Sequence, residues 1–576
     1  MIWTQLTEGL ISALREAGAW NDAAPPRIEL AIPRERSHGD WTTNVALLAA
    51  KEAGEKPRAL AEKLAAAFPR DAALFESVEV AGPGFLNFRY APEFLDRLPS
   101  RILSEGENFG NSDAAQGLAI QVEYVSANPT GPLNVVNARA AAVGAALVRL
   151  LRATGHRAEG EFYVNDAGNQ VDLLGASVAA RFAERIGTER AFPDHGYLGS
   201  YVADLAAQLP EVEARRALAD ADGARWFRER SLEKMLAWQR SDLSDYGAEF
   251  ANWVRESTLH GAGDVEKALA SLEARGMIYR AIDPEIDCSG APRGPEPDAP
   301  RDPATYVRSG RFGDDKDRVV VKSNGVPTYL LPDIAYHRNK RARGFRHTID
   351  LWGPDHHGHI LPLKASLAAL GLEPDFLEVL IVQQVNLLAG GQPVKMSKRA
   401  GEFISLRDLM NDVGSDCAKF FFLLRSTSAH LDFDLDLARS RNDENPAYYV
   451  QYAHARIASV MRFAAGRGLA PLDAAAEAAL DHPAEAALAR QLAAFPEVVR
   501  GAATAREPHR IPAYLMETAA ELHRFYHACR VVSEDAPRSR ARLRLAAAAA
   551  VALRNGLSLM GVSAPERMER EAEVEA

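Results

Sequence analysis

The sequence predicts a multidomain α/β protein built on a doubly wound parallel sheet. Three observations predict it. Residues 119–125 read as a strand, 126–132 as a loop and Val135–Ala153 as a long helix, and strand–loop–helix opens such a sheet. Two more apolar strands, His347–Trp352 and residues 376–385, arrive only after a long helical stretch, so the sheet is split by an insertion. From about Asn445 the strand signals fade and helical periodicity takes over.

Taken in order, residues 1–110 form a small α/β unit, with strands at 28–32 and 78–81, a helix at 58–65, and Ala81-Gly82-Pro83-Gly84 as the turn before a strand at 85–89. The parallel-sheet domain spans 115–425, with a helical insertion at about 170–315. That insertion holds helices up to about 280 and a Pro/Gly/Asp-rich stretch, 289–305, expected as an exposed loop. The last unit, 440–576, is an all-α bundle with helices at 448–463, 483–498, 511–531 and 540–559.

Length and composition narrow the possibilities. A chain of 576 residues exceeds one core, and 47% hydrophobic with 25% charged residues is ordinary for a globular protein. Cys288, Cys417 and Cys529 lie too far apart for metal-ligand spacing or a disulfide framework, which suits a reducing cytoplasm. No secretory signal is visible at the start, and the longest apolar run, nine residues at 545–553, is too short to span a bilayer, so no membrane partner is expected. The net charge of −11 argues against a general polyanion binder but not against a local site. Between Arg500 and Arg554 ten arginines face five acidic residues, a locally basic stretch that by itself reads as a solvated helix face.

Two segments carry phosphate chemistry. Val394-Lys395-Met396-Ser397-Lys398-Arg399-Ala400-Gly401 sets two mobile ammonium groups beside a serine and closes on glycine, a loop suited to gripping a polyphosphate. The loop 128–137 opens a helix, and helix starts offer unpaired backbone N–H groups to anions. Each alone is a weak signal; their order, at the ends of sheet strands, adds weight. On spacing alone Tyr329 reads as a core aromatic and Asp333 as a surface charge, although four residues apart on a helix they share a face.

Longer strings resemble one family. The lysine segment is similar to the Lys-Met-Ser-Lys signature of class I aminoacyl-tRNA synthetases. Within that class, Glu123-Tyr124-Val125-Ser126-Ala127-Asn128-Pro129-Thr130-Gly131-Pro132-Leu133 resembles the approach to the first signature of the arginyl-tRNA synthetases. The runs 162–170, 329–337, 352–358 and 445–456 match too, and His38-Gly39-Asp40 with Ala81-Gly82-Pro83-Gly84-Phe85 resembles the family's extra N-terminal domain. The resemblance covers essentially the whole chain. It implies a Rossmann-type catalytic domain, an N-terminal tRNA-contacting domain and an anticodon-binding bundle. It implies an arginine–tRNA ligase using L-arginine, ATP with Mg2+, and tRNA(Arg), a cytoplasmic monomer with no dedicated protein metal site, whose activation step needs bound tRNA.

The resemblance also implies roles. Glu123, Asn128, Tyr329 and Asp333 would hold arginine, whose planar fork of donors suits carboxylates. Pro129, Gly131, Asn134, Asn137, Asp355, His356, His357, Met396, Ser397 and Lys398 would lie along ATP. Lys395, Lys398, Asn134 and Asn137 would serve catalysis at the phosphates. Tyr448, Tyr449, Gln451 and Arg456 would meet tRNA, although aromatics at this spacing are more often core.

One departure stands out. The family's His-x-Gly-His is Asn134-Val135-Val136-Asn137 here. Asparagines keep an amide donor but cannot become cations near pH 7, and Val136 fills space that glycine leaves to the nucleotide. Losing one preorganised donor costs on the order of 10² to 10³ in rate, so impaired ATP use is expected. The alternative function is therefore a catalytically impaired paralogue that binds tRNA or arginine in a regulatory role. An adenylating enzyme with another acceptor is a third possibility.

Overall fold

The computed structural model describes residues 2–33, 35–282, 302–394, 404–469 and 479–569. At the N-terminus, helices Ile2–Glu16, Val45–Ala53, Pro57–Ala67 and Pro92–Glu105 pack on an antiparallel sheet in the order Leu30–Ala31, Trp41–Thr43, Phe85–Tyr90, Phe75–Ala81. Gly39 lies in the left-handed region, and a Cβ there would sit 2.7 Å from the Phe88 carbonyl oxygen, so only glycine fits beside that strand.

The central sheet has five parallel strands: β1 (Ala119–Glu123), β2 (Arg157–Val164), β3 (Asn252–Arg255), β4 (His347–Trp352) and β5 (Leu377–Ile381). Their spatial order is β5-β4-β1-β2-β3, so the winding reverses between β1 and β4. Ligands enter such sheets at the carboxyl ends of the strands flanking that switch point. Helix α1 (Val135–Ala153) follows β1 and is buried along most of its length. A Cβ on its Gly144 would lie 2.2 Å from the Tyr124 ring, so this glycine lets the helix seat against the residue that follows β1.

The expected split is present, with one addition. Helices α2 (Asn169–Arg185), α3 (Ser200–Ala207) and α4 (Gly223–Asp245) form the inserted layer with their own core, yet β3 returns to the sheet edge before α5 (Glu256–Gly261). Four residues are too few to show strand periodicity inside a helical stretch. Three antiparallel strands, Ile278–Ala281, Ala304–Val307 and Arg318–Val321, then lead to α6 (Leu330–Ala342). Of the loop expected at 289–305, only the end is described, and Thr305 lies in a strand.

Two strand expectations change in detail. The strand expected at 119–125 stops at Glu123, because Val125 and Ser126 take positive φ values of 70° and 36°. The strand expected at 376–385 breaks at 382–384. Val385–Ala389 leaves for a small sheet with Gln392–Pro393 and Leu431–Asp434. Buried Arg139 of α1 holds that break: its guanidinium donates to the carbonyls of Gln383 (2.8 Å), Gln384 (3.4 Å), Ser426 (2.9 Å) and Ala429 (2.9 Å).

The bundle comprises Pro446–Ala465, Pro483–Ala493, Phe495–Ala505, Arg510–Ala528 and Ala536–Met560. The helix expected at 483–498 is two, parted at Ala494 ahead of Pro496, which has no N–H to continue the ladder. Ala536–Met560 is apolar and long enough to cross a membrane by composition, but it forms the packed centre of the bundle. One hydrophobic core runs through the N-terminal unit, the sheet and the bundle.

Candidate active site

The crevice at the switch point is built from the ends of β1, β2, β3 and β4. Glu123, the last residue of β1, is 8% exposed. Its Oε1 accepts from Ser126 Oγ (2.9 Å) and its Oε2 from the Nζ of Lys340 (2.7 Å), while Tyr163 N donates to Ser126 Oγ (3.1 Å). The left-handed pair Val125-Ser126 makes this possible: it turns the chain back so that Ser126 faces the strand it has just left. A β-branched residue at positive φ is costly, and such strain collects at functional sites.

Asp333 lies on the first turn of α6, and its Oδ2 accepts from His359 Nε2 at 2.8 Å. The imidazole of His359 stacks on Trp352 at 5.7 Å and sits 5.0 Å from the ring of Tyr329. Tyr329 itself is 75% exposed, so it is a crevice wall and not a core aromatic. Tyr329 and Asp333, expected to share a face, both contact His359.

A third carboxylate, Glu256, begins α5 where β3 ends. Burial pushes its pKa up, and nearby Asp333 adds to this; Tyr163 donates to it, and His260 stands 3.7 Å away. Burial also raises the pKa of Tyr163, with Glu256, Asp333 and Glu123 all acting in the same direction. One phenol hydroxyl therefore lies in the field of three carboxylates, an arrangement that attracts a cation carrying several donors.

The loop after β1 is held by the insertion. Gln239 Nε2 (α4) donates to the carbonyls of Asn128 (3.2 Å) and Gly131 (2.8 Å), Tyr201 Oη (α3) to the Thr130 carbonyl (2.9 Å), and Gln170 Nε2 (α2) to Asn128 Oδ1 (3.3 Å). Asn128 is exposed and Pro129 buried.

At the start of α1 the backbone donors of Asn134, Val136 and Asn137 are already used. Asn134 Oδ1 accepts from Val136 N (3.0 Å) and Asn137 N (3.1 Å), and Asn137 Oδ1 accepts from Asn134 N (3.0 Å), a reciprocal capping box. Two of the helix N–H groups expected to be free, those of Val136 and Asn137, are taken up internally, and each asparagine keeps its amide NH2 outside the capping box. Val136 is half-buried and packs against the main core.

Lys395, Met396, Ser397 and Lys398 lie outside the described residues. The segments flanking them are described and converge here. Val394 N donates to the Leu387 carbonyl (2.8 Å), and Leu406 N donates to the Leu133 carbonyl (2.7 Å) beside an antiparallel bridge between Asn134 and Ser405. The described flank at Ser405–Leu406 is thereby anchored at the start of α1. Asp355, His356 and His357 form an exposed turn at the end of β4, with His356 3.5 Å from Asp355.

The four residues expected at tRNA are partly spoken for. Tyr448 is 6% exposed and donates to the Glu569 carbonyl (3.0 Å), so it offers no open stacking face. Gln451 donates to Asp416 (3.1 Å) and the Ser563 carbonyl (3.0 Å), tying the bundle to the sheet domain. Tyr449 packs on His523, and Arg456 on Tyr526; both are half-buried.

Sequence reasoning missed Glu256, Lys340, His359 and Gln239. Glu256 follows a strand too short to see. Lys340 lies in a basic run that reads as a solvated face. His359 follows two histidines that drew the eye, and Gln239 carries no charge.

The carboxylate-lined crevice, the start of α1 bridged to Ser405 and the helical bundle packed on the sheet domain fit a nucleotide-using enzyme with a second, larger substrate. Comparison with known proteins defines it. Residues 4–90 match the arginyl tRNA synthetase N terminal domain and residues 450–568 the DALR anticodon binding domain, which makes the class an aminoacyl-tRNA synthetase. Arginine–tRNA ligase 1 of Halalkalibacterium halodurans is 42% identical over 567 residues, covering 98% of each chain. A putative arginyl-tRNA synthetase structure from Campylobacter jejuni is 32% identical with a TM-score of 0.73, covering 83% of this chain and all of that one. The Thermus thermophilus arginyl-tRNA synthetase, 23% identical over 99% of this chain and 100% of its own, shares the fold with a TM-score of 0.76. The chain belongs to the arginine–tRNA ligase family.

Proposed function

We propose that this chain activates L-arginine with ATP and transfers it to tRNA(Arg) at the β1–β4 crevice. The observation that carries this reading is the set of three carboxylates about Tyr163, with histidines as the described side-chain partners of two of them. Arginine would enter among Glu123, Asn128, Tyr329 and Asp333, with Glu256 added from the structure. Its carboxylate attacks the α-phosphorus of ATP, the bond to the β-phosphate oxygen breaks, and pyrophosphate leaves. A terminal ribose hydroxyl of tRNA then attacks the arginyl carbonyl and AMP departs. Positioning and charge stabilisation supply most of the acceleration in such displacements.

ATP arrives as its magnesium complex, that is, as substrate. Pro129, Gly131, Asp355, His356, His357, Met396 and Ser397 would border it. Lys395, Lys398 and the amide NH2 groups of Asn134 and Asn137 would meet its phosphates. The N-terminal unit and the bundle, including Tyr449 and Arg456, would face tRNA. The reading takes the chain to act as a monomer in the cytoplasm. Its scattered cysteines suit that compartment.

The test is aminoacylation of tRNA(Arg) with labelled arginine, beside the triple reversion Asn134→His, Val136→Gly, Asn137→His. Charging by the unaltered chain at a rate near the revertant's would carry this reading and overturn the expectation that Asn134, Val136 and Asn137 impair ATP use. Charging by the revertant alone would mean that this chain's ATP site is disabled and that binding is its role.

A further inference from the structure

Lys340 belongs to none of the motifs, yet it is fully buried beneath the crevice. Its Nζ donates to Glu123 Oε2 (2.7 Å) and Asp350 Oδ1 (2.9 Å) and lies 4.3 Å from the centroid of the Tyr336 ring. A lone buried ammonium is costly, and this one is retained in a ring of carboxylates. The groups facing it are Glu123 on β1, Asp350 on β4, Glu161 on β2, and Tyr336 and His337 on its own helix. Glu161 is taken up elsewhere, by a bidentate pair with Arg343 and by the Tyr336 hydroxyl. Asp350 also accepts from His337 Nε2 (3.0 Å).

The consequence falls on Glu123. Both of its oxygens are engaged from within the protein, one by Lys340 and one by Ser126. Among the described residues the ion-pair partners of Asp333 and Glu256 are histidines, His359 and His260, with the Tyr163 hydroxyl also donating to Glu256. Of the three carboxylates in the field of Tyr163, one is neutralised by a fixed cation and two are left to a ligand. Removing Lys340 would leave Glu123 as a buried carboxylate with no cation, and burial already pushes its pKa up.

Resting on the arginine-site reading above, we propose that Lys340 is a positioning residue for substrate recognition. It fixes Glu123 as a carboxylate and withholds it from the guanidinium, which is left to Asp333 and Glu256. The prediction is a proton count. In Lys340→Met, free Glu123 takes up a proton that the bound cation expels.

The experiment is calorimetric titration of the full chain with L-arginine near pH 7, in two buffers of different ionisation enthalpy, which gives the protons exchanged on binding. Lys340→Met should release at least about half a proton more than the unaltered chain. The double variant Glu123→Gln, Lys340→Met, in which Asp350 has lost the same cation, should return to the original count. An unchanged count in Lys340→Met, or an extra proton that persists in the double variant, would overturn the proposal. Should Lys340→Met not fold, Glu123→Gln alone decides: its loss of arginine affinity should be at least about tenfold smaller than that of Asp333→Asn or Glu256→Gln. An equal or larger loss at Glu123 overturns the proposal. If neither Asp333→Asn nor Glu256→Gln weakens arginine, the arginine-site reading itself falls, whatever Lys340 does.

Discussion

At the scale of single residues, Glu256 is the sharpest test of the site. It is half-buried at the start of α5, accepts from Tyr163, and has a pKa raised by burial and by Asp333. A guanidinium needs it ionised. Arginine affinity should therefore weaken as pH falls toward Glu256's raised pKa, which lies above the ordinary 4.5. Glu256→Gln should remove that acid-side dependence. It should also weaken arginine by about tenfold to a hundredfold, the worth of one charge-assisted contact. Isothermal titration across pH reads both, and a variant that keeps the parent's affinity and pH profile would remove Glu256 from the site. Asp333 and Glu123 were legible only because each lies in a string that resembles the family's; on spacing alone Asp333 reads as a surface charge. Glu256 was not, because its only local clue is the four-residue strand before it. Pairings across 217 residues, such as Lys340 with Glu123, leave no local trace at all.

At the scale of elements, α1 decides how the altered signature behaves. Its span, expected from about Val135 to Ala153, was legible, since a long apolar helix after a glycine- and proline-rich loop leaves little choice. Its cap was not, because Asn-x-x-Asn is an uncommon form of the capping box and the eye goes to the missing histidines. Asn134→Ala should cost about 1 kcal/mol, read as a lower denaturation midpoint. An unchanged midpoint would mean that the box contributes nothing. A histidine can take the same role: in this chain His482 Nδ1 accepts from Ala484 N (3.1 Å) at the start of Pro483–Ala493. The reversion Asn134→His therefore need not unfold α1, which keeps the charging comparison interpretable. The seat of α1 on β1 is tighter. Gly144→Ala would drive a methyl group to 2.2 Å from the Tyr124 ring, whose hydroxyl is tied to the Glu249 carbonyl at 2.8 Å. Overpacking of this kind costs about 1–3 kcal/mol. It should move the end of β1 and raise KM for arginine, whereas a wild-type KM with a lowered midpoint would confine the effect to stability.

At the scale of the whole molecule, the three units that the sequence separates by composition are bound into one body. Their existence was legible, because the change from mixed periodicity to helical periodicity is abrupt. Their mutual contacts were not, since each is a side chain meeting a ring, a carboxylate or a backbone carbonyl hundreds of residues away. Phe495 packs on Phe109 with ring centroids 5.6 Å apart, and Arg490 pairs with buried Asp40 at 3.1 Å. Asn555, inside the last helix, donates from one amide to the carbonyls of Gly106 (2.9 Å) and Phe109 (3.0 Å). The N-terminal unit is thus held against the bundle, and on the reading above both face tRNA while arginine binds in the sheet between them. Asn555→Leu keeps the volume and removes both donations; the Gly106 carbonyl still accepts from Phe109 N (3.1 Å), and the buried Phe109 carbonyl loses this donor, a cost of about 1–3 kcal/mol at that interface. The expected outcome is a KM for tRNA raised by about threefold to tenfold, faster proteolysis between residues 105 and 118, and an unchanged KM for arginine. A rise in both KM values would show that the interface supports the crevice as well. No change in either would show that the two outer units hold tRNA independently of each other.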